Sequence, residues 1–164
     1  MEKELIIQKM KELEKLIHHN FKNISWLCKA MESIKIEDSN KNNPEYKNEV
    51  LATVGDAVLK IVIADYLYRK GVRRKGELSI QREDLEKNET LFRVAQEEGI
   101  LNYAYNDKHF NDEENIPNNE KIHCPEHDSF IEAIIGAMFY DSSYKATRRW
   151  ILKYLLPLLE QHRS

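Results

Sequence analysis

The sequence predicts an all-α protein, on three observations. Apolar residues recur at helical spacing, no stretch stands out as a strand, and the helical runs begin and end at recognisable cap residues. Ile6, Met10, Leu13 and Ile17 alternate with Lys and Glu at one-turn intervals, which predicts an amphipathic first helix over 3–19. His18 and His19 fall at its C-terminal end, where a protonated imidazole suits the helix dipole. Phe21, Ile24, Trp26, Leu27, Ala30 and Met31 predict a short second helix with Asn23 or Ser25 near its cap and Trp26 in the core. Residues 37–43 contain no apolar side chain and read as a surface loop. Asn43 as N-cap, Pro44 at the first helical position and Glu45 in the first turn then announce a long helix that runs to about Lys70, before Gly71.

That helix is apolar all round its wheel, which suits the centre of a bundle and makes Asp56 an acid where charge is unwelcome. Downstream, 71–78 reads as a loop, Ser79 as the N-cap of a helix that stops at Gly99, and 106–128 as a long surface loop. Residues 130–139 repeat the earlier problem, an apolar helical run with one acid, Glu132. A last helix rich in Leu is interrupted by Pro157. Gly55 beside Asp56, and Gly136 one turn after Glu132, are small residues that would let two helix backbones approach closely. A divalent cation shared by the two carboxylates would resolve both charges; a hydrogen-bonded pair, or ion pairs to Lys60 or an arginine, would also do so.

At 164 residues the chain suits a single domain, 1–164, with the 1–20 helix packed on it. The net charge of −3 conceals a basic cluster of Arg69, Lys70, Arg73, Arg74 and Lys75, and a smaller one of Arg148, Arg149 and Lys153. Either could meet phosphate or be a solvated helix end. Two cysteines, far apart, suggest a reducing compartment, and with no apolar run of about 20 residues and no signal-like N-terminus a cytoplasmic protein off the membrane is expected.

The stretch Asn48-Glu49-Val50-Leu51-Ala52-Thr53-Val54-Gly55-Asp56-Ala57-Val58-Leu59 resembles the signature helix of the ribonuclease III catalytic domain, and 129–139 resembles its second acidic helix. Gly76-Glu77-Leu78-Ser79 and Asn88-Glu89-Thr90-Leu91 agree in order between them. The resemblance implies a ribonuclease III-like helical bundle, here expected to lack a separate double-stranded-RNA-binding domain. It implies a homodimer that cuts double-stranded RNA with magnesium, or manganese in its place, and needs no small-molecule cofactor. By position, Asp56 and Glu132 match the family's central catalytic and metal-binding acids, and Glu49 its first signature acid. Ala52 and Ser129 stand where ordinary members carry two further acids, and Lys75 where many place another. Small or hydroxyl residues at the first two positions are similar to the mini-ribonuclease III branch, whose substrate class is ribosomal RNA precursor.

Around the two acids, Glu49 lies two turns before Asp56 on the same face and could hold a metal-bound water, with Ser129 at the edge of the site. Asp128 could reach inward in place of the missing acid or simply cap the Glu132 helix. Arg69, Lys70, Arg73, Arg74 and Lys75 are the expected RNA contacts, with Lys108 and Lys121 as a second possibility. The alternative reading is a non-catalytic dimer of the same fold that binds structured RNA or a ribosomal particle, with Ala52 and Ser129 as its reason. His123, Cys124, His127 and Asp128 are too few to make a phosphohydrolase or zinc ligand set.

Overall fold

The computed structural model describes residues 1–112, 117, 122 and 130–163. Among them the chain is helical, with only isolated β-bridges between extended segments. The order is α1 (Lys3–Leu16), α2 (Ser25–Met31), α3 (Glu49–Arg69), α4 (Lys75–Glu86), α5 (Asn88–Glu97), a 3-10 turn (Ile100–Tyr103), α6 (Phe130–Asp141), α7 (Tyr144–Trp150), a π segment (Ile151–Leu155) and α8 (Leu156–His162).

α3 and α6 form the axis of the bundle, and glycines set how closely they cross. A Cβ on Gly55 would fall 1.7 Å from the carbonyl oxygen of Glu132, and one on Gly136 would fall 2.1 Å from that of Leu51. Each glycine is therefore filled by the other helix's backbone, as their positions beside the two acids predict. Val58, Leu59, Val62 and Ile63 of α3 and Phe130 to Met138 of α6 bury around this crossing. α1 closes one side with Met10, Leu13 and Ile17, and the Trp150 indole N–H donates to the Ile17 carbonyl at 2.8 Å. Trp26 is half-buried rather than central, stacked on Tyr140 at 5.4 Å with the Lys29 ammonium over its ring.

Several features differ from the sequence expectation, among them the helix expected from Ser79 to Gly99, which is divided at Lys87 into α4 and α5. The long helix starts at Glu49, because 34–47 folds back on itself: Ile36 N–H donates to Glu45 O at 2.8 Å and Lys47 N–H to Ile34 O at 2.9 Å. Asn48 is the residue before the helix, its carbonyl accepting from Ala52 N–H and its buried amide donating to Ala30 O. α4 begins at Lys75, four residues before Ser79. Pro157 does not break the last helix. It lacks the N–H that Lys153 O would accept, and the wider π turn at Ile151–Leu155 absorbs that loss while Pro157 sits in the first turn of α8. Finally, the described part of 106–128 is anchored in the core by Phe110 and Ile122, with Asn111 Oδ1 accepting from Ile122 N–H at 2.7 Å.

The central helix is not covered all round. Val50, Ala57 and Ile61 are exposed, Val50 and Ile61 by 64% and 57%, with Val54 half-buried between them. This spacing of four, three and four residues draws one apolar stripe along α3, and exposed Ile80 of α4 stands out in the same way. No helix among the described residues is long and apolar enough to cross a membrane.

Candidate active site

Asp56 follows Gly55, so the contact that buries the glycine against Glu132's backbone turns the next side chain about 100° round the helix, away from the crossing. Its carboxylate is 35% exposed and bonded to the Lys60 ammonium at 2.8 Å, which raises the lysine's pKa above its ordinary value. The expectation of an acid sealed in an apolar bundle is thus corrected: of the two acids only Glu132 is buried. What the sequence does predict is their pairing, because α6 brings Glu132 level with Gly55–Asp56 through direct backbone contact.

Asp56 and Lys60 open onto a cleft of about 810 Å³ whose far wall is α4, with Glu83, Asp84 and Glu86, and Arg163 from the end of the chain. Glu86 is the residue that sequence reasoning missed. It is 8% exposed, its Oε1 accepts from Arg82, and its Oε2 is buried with no hydrogen-bond partner. Burial pushes its carboxyl up to about 7, with Arg82 and Lys60 opposing the rise and Asp56 adding to it. The available signal was phase: Leu78, Arg82, Leu85 and Glu86 follow the i, i+4, i+7, i+8 pattern of one helix face.

The folded chain therefore holds a proton on Glu86 that the unfolded chain gives up between pH 4.5 and about 7, so stability falls as pH rises through that window. The loss should approach roughly 3 kcal/mol at most. Thermal melts from pH 4.5 to 8 should show wild type losing stability relative to Glu86→Gln; parallel curves would contradict a buried, raised carboxyl.

A Ribonuclease-III-like family model matches residues 27–159. The chain belongs to the ribonuclease III-like family. It is 30% identical over 158 residues to Ribonuclease 3 of Bdellovibrio bacteriovorus, covering 96% of this chain and 65% of that one. To Ribonuclease 3 of Desulfotalea psychrophila it is 32% identical over 163 residues, covering 96% and 63%. The chain thus spans just under two thirds of the length of these two curated relatives. Its fold is similar to the nuclease domain of ribonuclease III from Campylobacter jejuni, with a TM-score of 0.67 at 26% identity, covering 95% of this chain and 97% of that one.

Against that family background the remaining candidates divide. Glu49 is at the first position of α3, its carboxylate accepting from Tyr46 N–H at 3.1 Å in the turn before the helix, about 10 Å along the axis from Asp56. Asp128 and Ser129 lie outside the described residues, as do Lys121, His123, Cys124 and His127. The basic cluster occupies the turn from α3 to α4, about 20 Å along α3 from Asp56. Within it Arg69 is paired with Asp65 at 2.9 Å, the Lys70 ammonium lies over Tyr66, and Arg73 stacks on Tyr68 at 3.9 Å while donating to backbone carbonyls. Arg74 and Lys75 keep their charges unpaired among the described residues and are exposed.

The donor set fits a hard, strongly hydrated cation. Asp56 and Glu132 are carboxylates on adjoining helices; Asp56 and Glu86 line the cleft, Glu86 with a buried oxygen in need of a donor, while Glu132 is not among the residues lining it. Among the described residues no three acids, histidines or cysteines converge closely enough to hold an ion by themselves. Magnesium suits such a site, because it is commonly held by one or two carboxylates with water and phosphate completing the shell.

Proposed function

We propose that the protein is a magnesium-dependent endoribonuclease that cleaves double-stranded or structured RNA as a homodimer. The observation that carries the reading is the interlock of Gly55 with the Glu132 backbone, which sets two acid-bearing residues side by side on crossing helices. Ribonuclease III-like membership supports phosphodiester hydrolysis as the chemistry. Ribosomal RNA precursor is the substrate we favour, in the cytoplasm, with manganese able to replace magnesium.

In this reading Asp56 anchors the metal ion and Glu132 shares it while orienting the attacking water. A bound ion of this kind supplies a positioned water and neutralises charge that develops on the phosphate oxygens. Lys60 must leave Asp56 first; with half its side chain exposed, it can swing into solvent. Arg74 and Lys75 then meet the RNA backbone, the other cations of the turn adding to the field. Glu49, two turns before Asp56 on α3, would hold a metal-bound water; Asp128 and Ser129 lie outside the described residues.

The dimer is supported by the uncovered stripe of Val50, Ala57 and Ile61 and by the similar nuclease domain from Campylobacter jejuni, in which a region is described as involved in dimer formation. One site cuts one strand, so two copies are needed for a double cut.

The test is incubation of a long perfectly paired RNA at low salt with wild type and Asp56→Asn, with magnesium or a chelator. Cleavage should be confined to wild type with magnesium, and the variant should lose at least 100-fold. No cleavage by folded, dimeric wild type would favour the second reading, a non-catalytic RNA-binding dimer. Two features favour that reading, Ala52 in α3 and the Asp56–Lys60 ion pair, which neutralises the acid without any metal.

A further inference from the structure

The ribonuclease III-like site of this chain lacks a carboxylate at Ala52, one turn before Asp56, yet the opposite wall of the cleft supplies one. We propose that Glu86 is a positioning residue of the metal site, holding a water of the divalent ion anchored at Asp56. The inference rests on the proposed function and adds a group to it.

Three observations converge on Glu86. It lines the same cleft as Asp56 and Lys60, so the two walls face one solvent-filled space. Its side chain is more than nine-tenths buried, and one oxygen is already committed to Arg82. The other oxygen, Oε2, has no hydrogen-bond partner, an arrangement that normally costs about 1–3 kcal/mol unless a donor completes it.

The chemistry of the missing donor follows from the surroundings. No three acids converge on one point among the described residues, so the fold offers no closed set of ligands for a bare ion. A cation that keeps most of its water shell does not require such convergence. Its bound waters carry polarised O–H groups, are strong donors, and extend the ion's reach to a carboxylate beyond direct contact. The cleft has ample room for a hydrated ion. With Glu86 ionised, Arg82, bonded to Oε1, holds the carboxylate in place and leaves Oε2 as the acceptor.

Manganese binding to the intact protein tests this without reference to activity. Electron paramagnetic resonance of Mn2+ titrated into wild type, Asp56→Asn, Glu86→Gln, Glu86→Met and Glu83→Gln would be compared, with thermal melts to check folding. We expect Asp56→Asn to abolish binding, and Glu86→Gln to weaken it about tenfold and alter the spectrum of the bound ion. Glu86→Met, which leaves no acceptor, should weaken it further. Glu83→Gln removes an exposed acid from the same cleft and should change affinity by no more than about twofold. If Glu86→Gln binds manganese with wild-type affinity and spectrum while Asp56→Asn does not bind, Glu86 has no such role and the proposed function stands. If Asp56→Asn binds as wild type does, the metal site itself is misassigned and both readings fall. Should Glu86→Met not fold, the Glu86→Gln result decides.

Discussion

Gly55→Ala should abolish the native fold or lower its stability by about 4 kcal/mol, a large part of the 5–15 kcal/mol that holds a typical domain. The added methyl would stand 1.7 Å from a carbonyl oxygen of α6 and 2.9 Å from the Gly136 amide nitrogen. Both obstacles are backbone inside a helix, so no rotamer change relieves the clash. α3 and α6 would have to separate, opening gaps along their most extensive contact. The matched control is Gly76→Ala near the start of α4, where an added Cβ meets nothing within 4 Å. That variant should be neutral or stabilised by about 0.5–1 kcal/mol through helix propensity. Urea unfolding of both variants measures the difference. Equal stability would mean that the helices are not interlocked as described.

The second large effect is expected on assembly. Ile61→Asp places a charge in the middle of the exposed stripe of α3, where the proposed reading puts a second copy of the chain. In a two-fold interface the substitution enters twice, and burying two unpaired carboxylates near each other should raise the dimer dissociation constant by more than 10³-fold, or about 4 kcal/mol. The monomer should keep its fold, because Ile61 contributes little to the core of a single copy. Sedimentation across a concentration series reads the shift directly. A wild-type protein that is monomeric at every concentration would remove the dimer from the proposed function.

These residues also show how far the sequence could be read. The approach of α3 and α6 was legible because each lone acid came with a glycine on an apolar helix, a local pattern with one mechanical explanation. The start of α3 was not. Asn43, Pro44 and Glu45 form a good local cap signal, but it is overridden by the pairing of 34–36 with 45–47, which depends on a fold-back that no short window contains. The apolar wheel of α3 was read as burial on all sides, whereas one side is exposed in the single chain. Glu86 escaped notice for a related reason. An acid near the end of an amphipathic helix looks solvated until the helix is docked, and it is the docking of α4 against α3 that buries it beside Lys60 and Asp56.

The interlocked glycines have one more consequence. Side chains packed between two helices would give a cushion, compressible by rotamer changes, so the gap between the acid-bearing segments could drift with temperature or ligand. Here backbone rests on backbone, and the gap behaves as a hard stop. On the proposed reading, such a stop fixes the spacing of the backbones from which the Asp56 and Glu132 carboxylates reach a shared ion. That spacing is written into the main chain, out of reach of most side-chain substitutions.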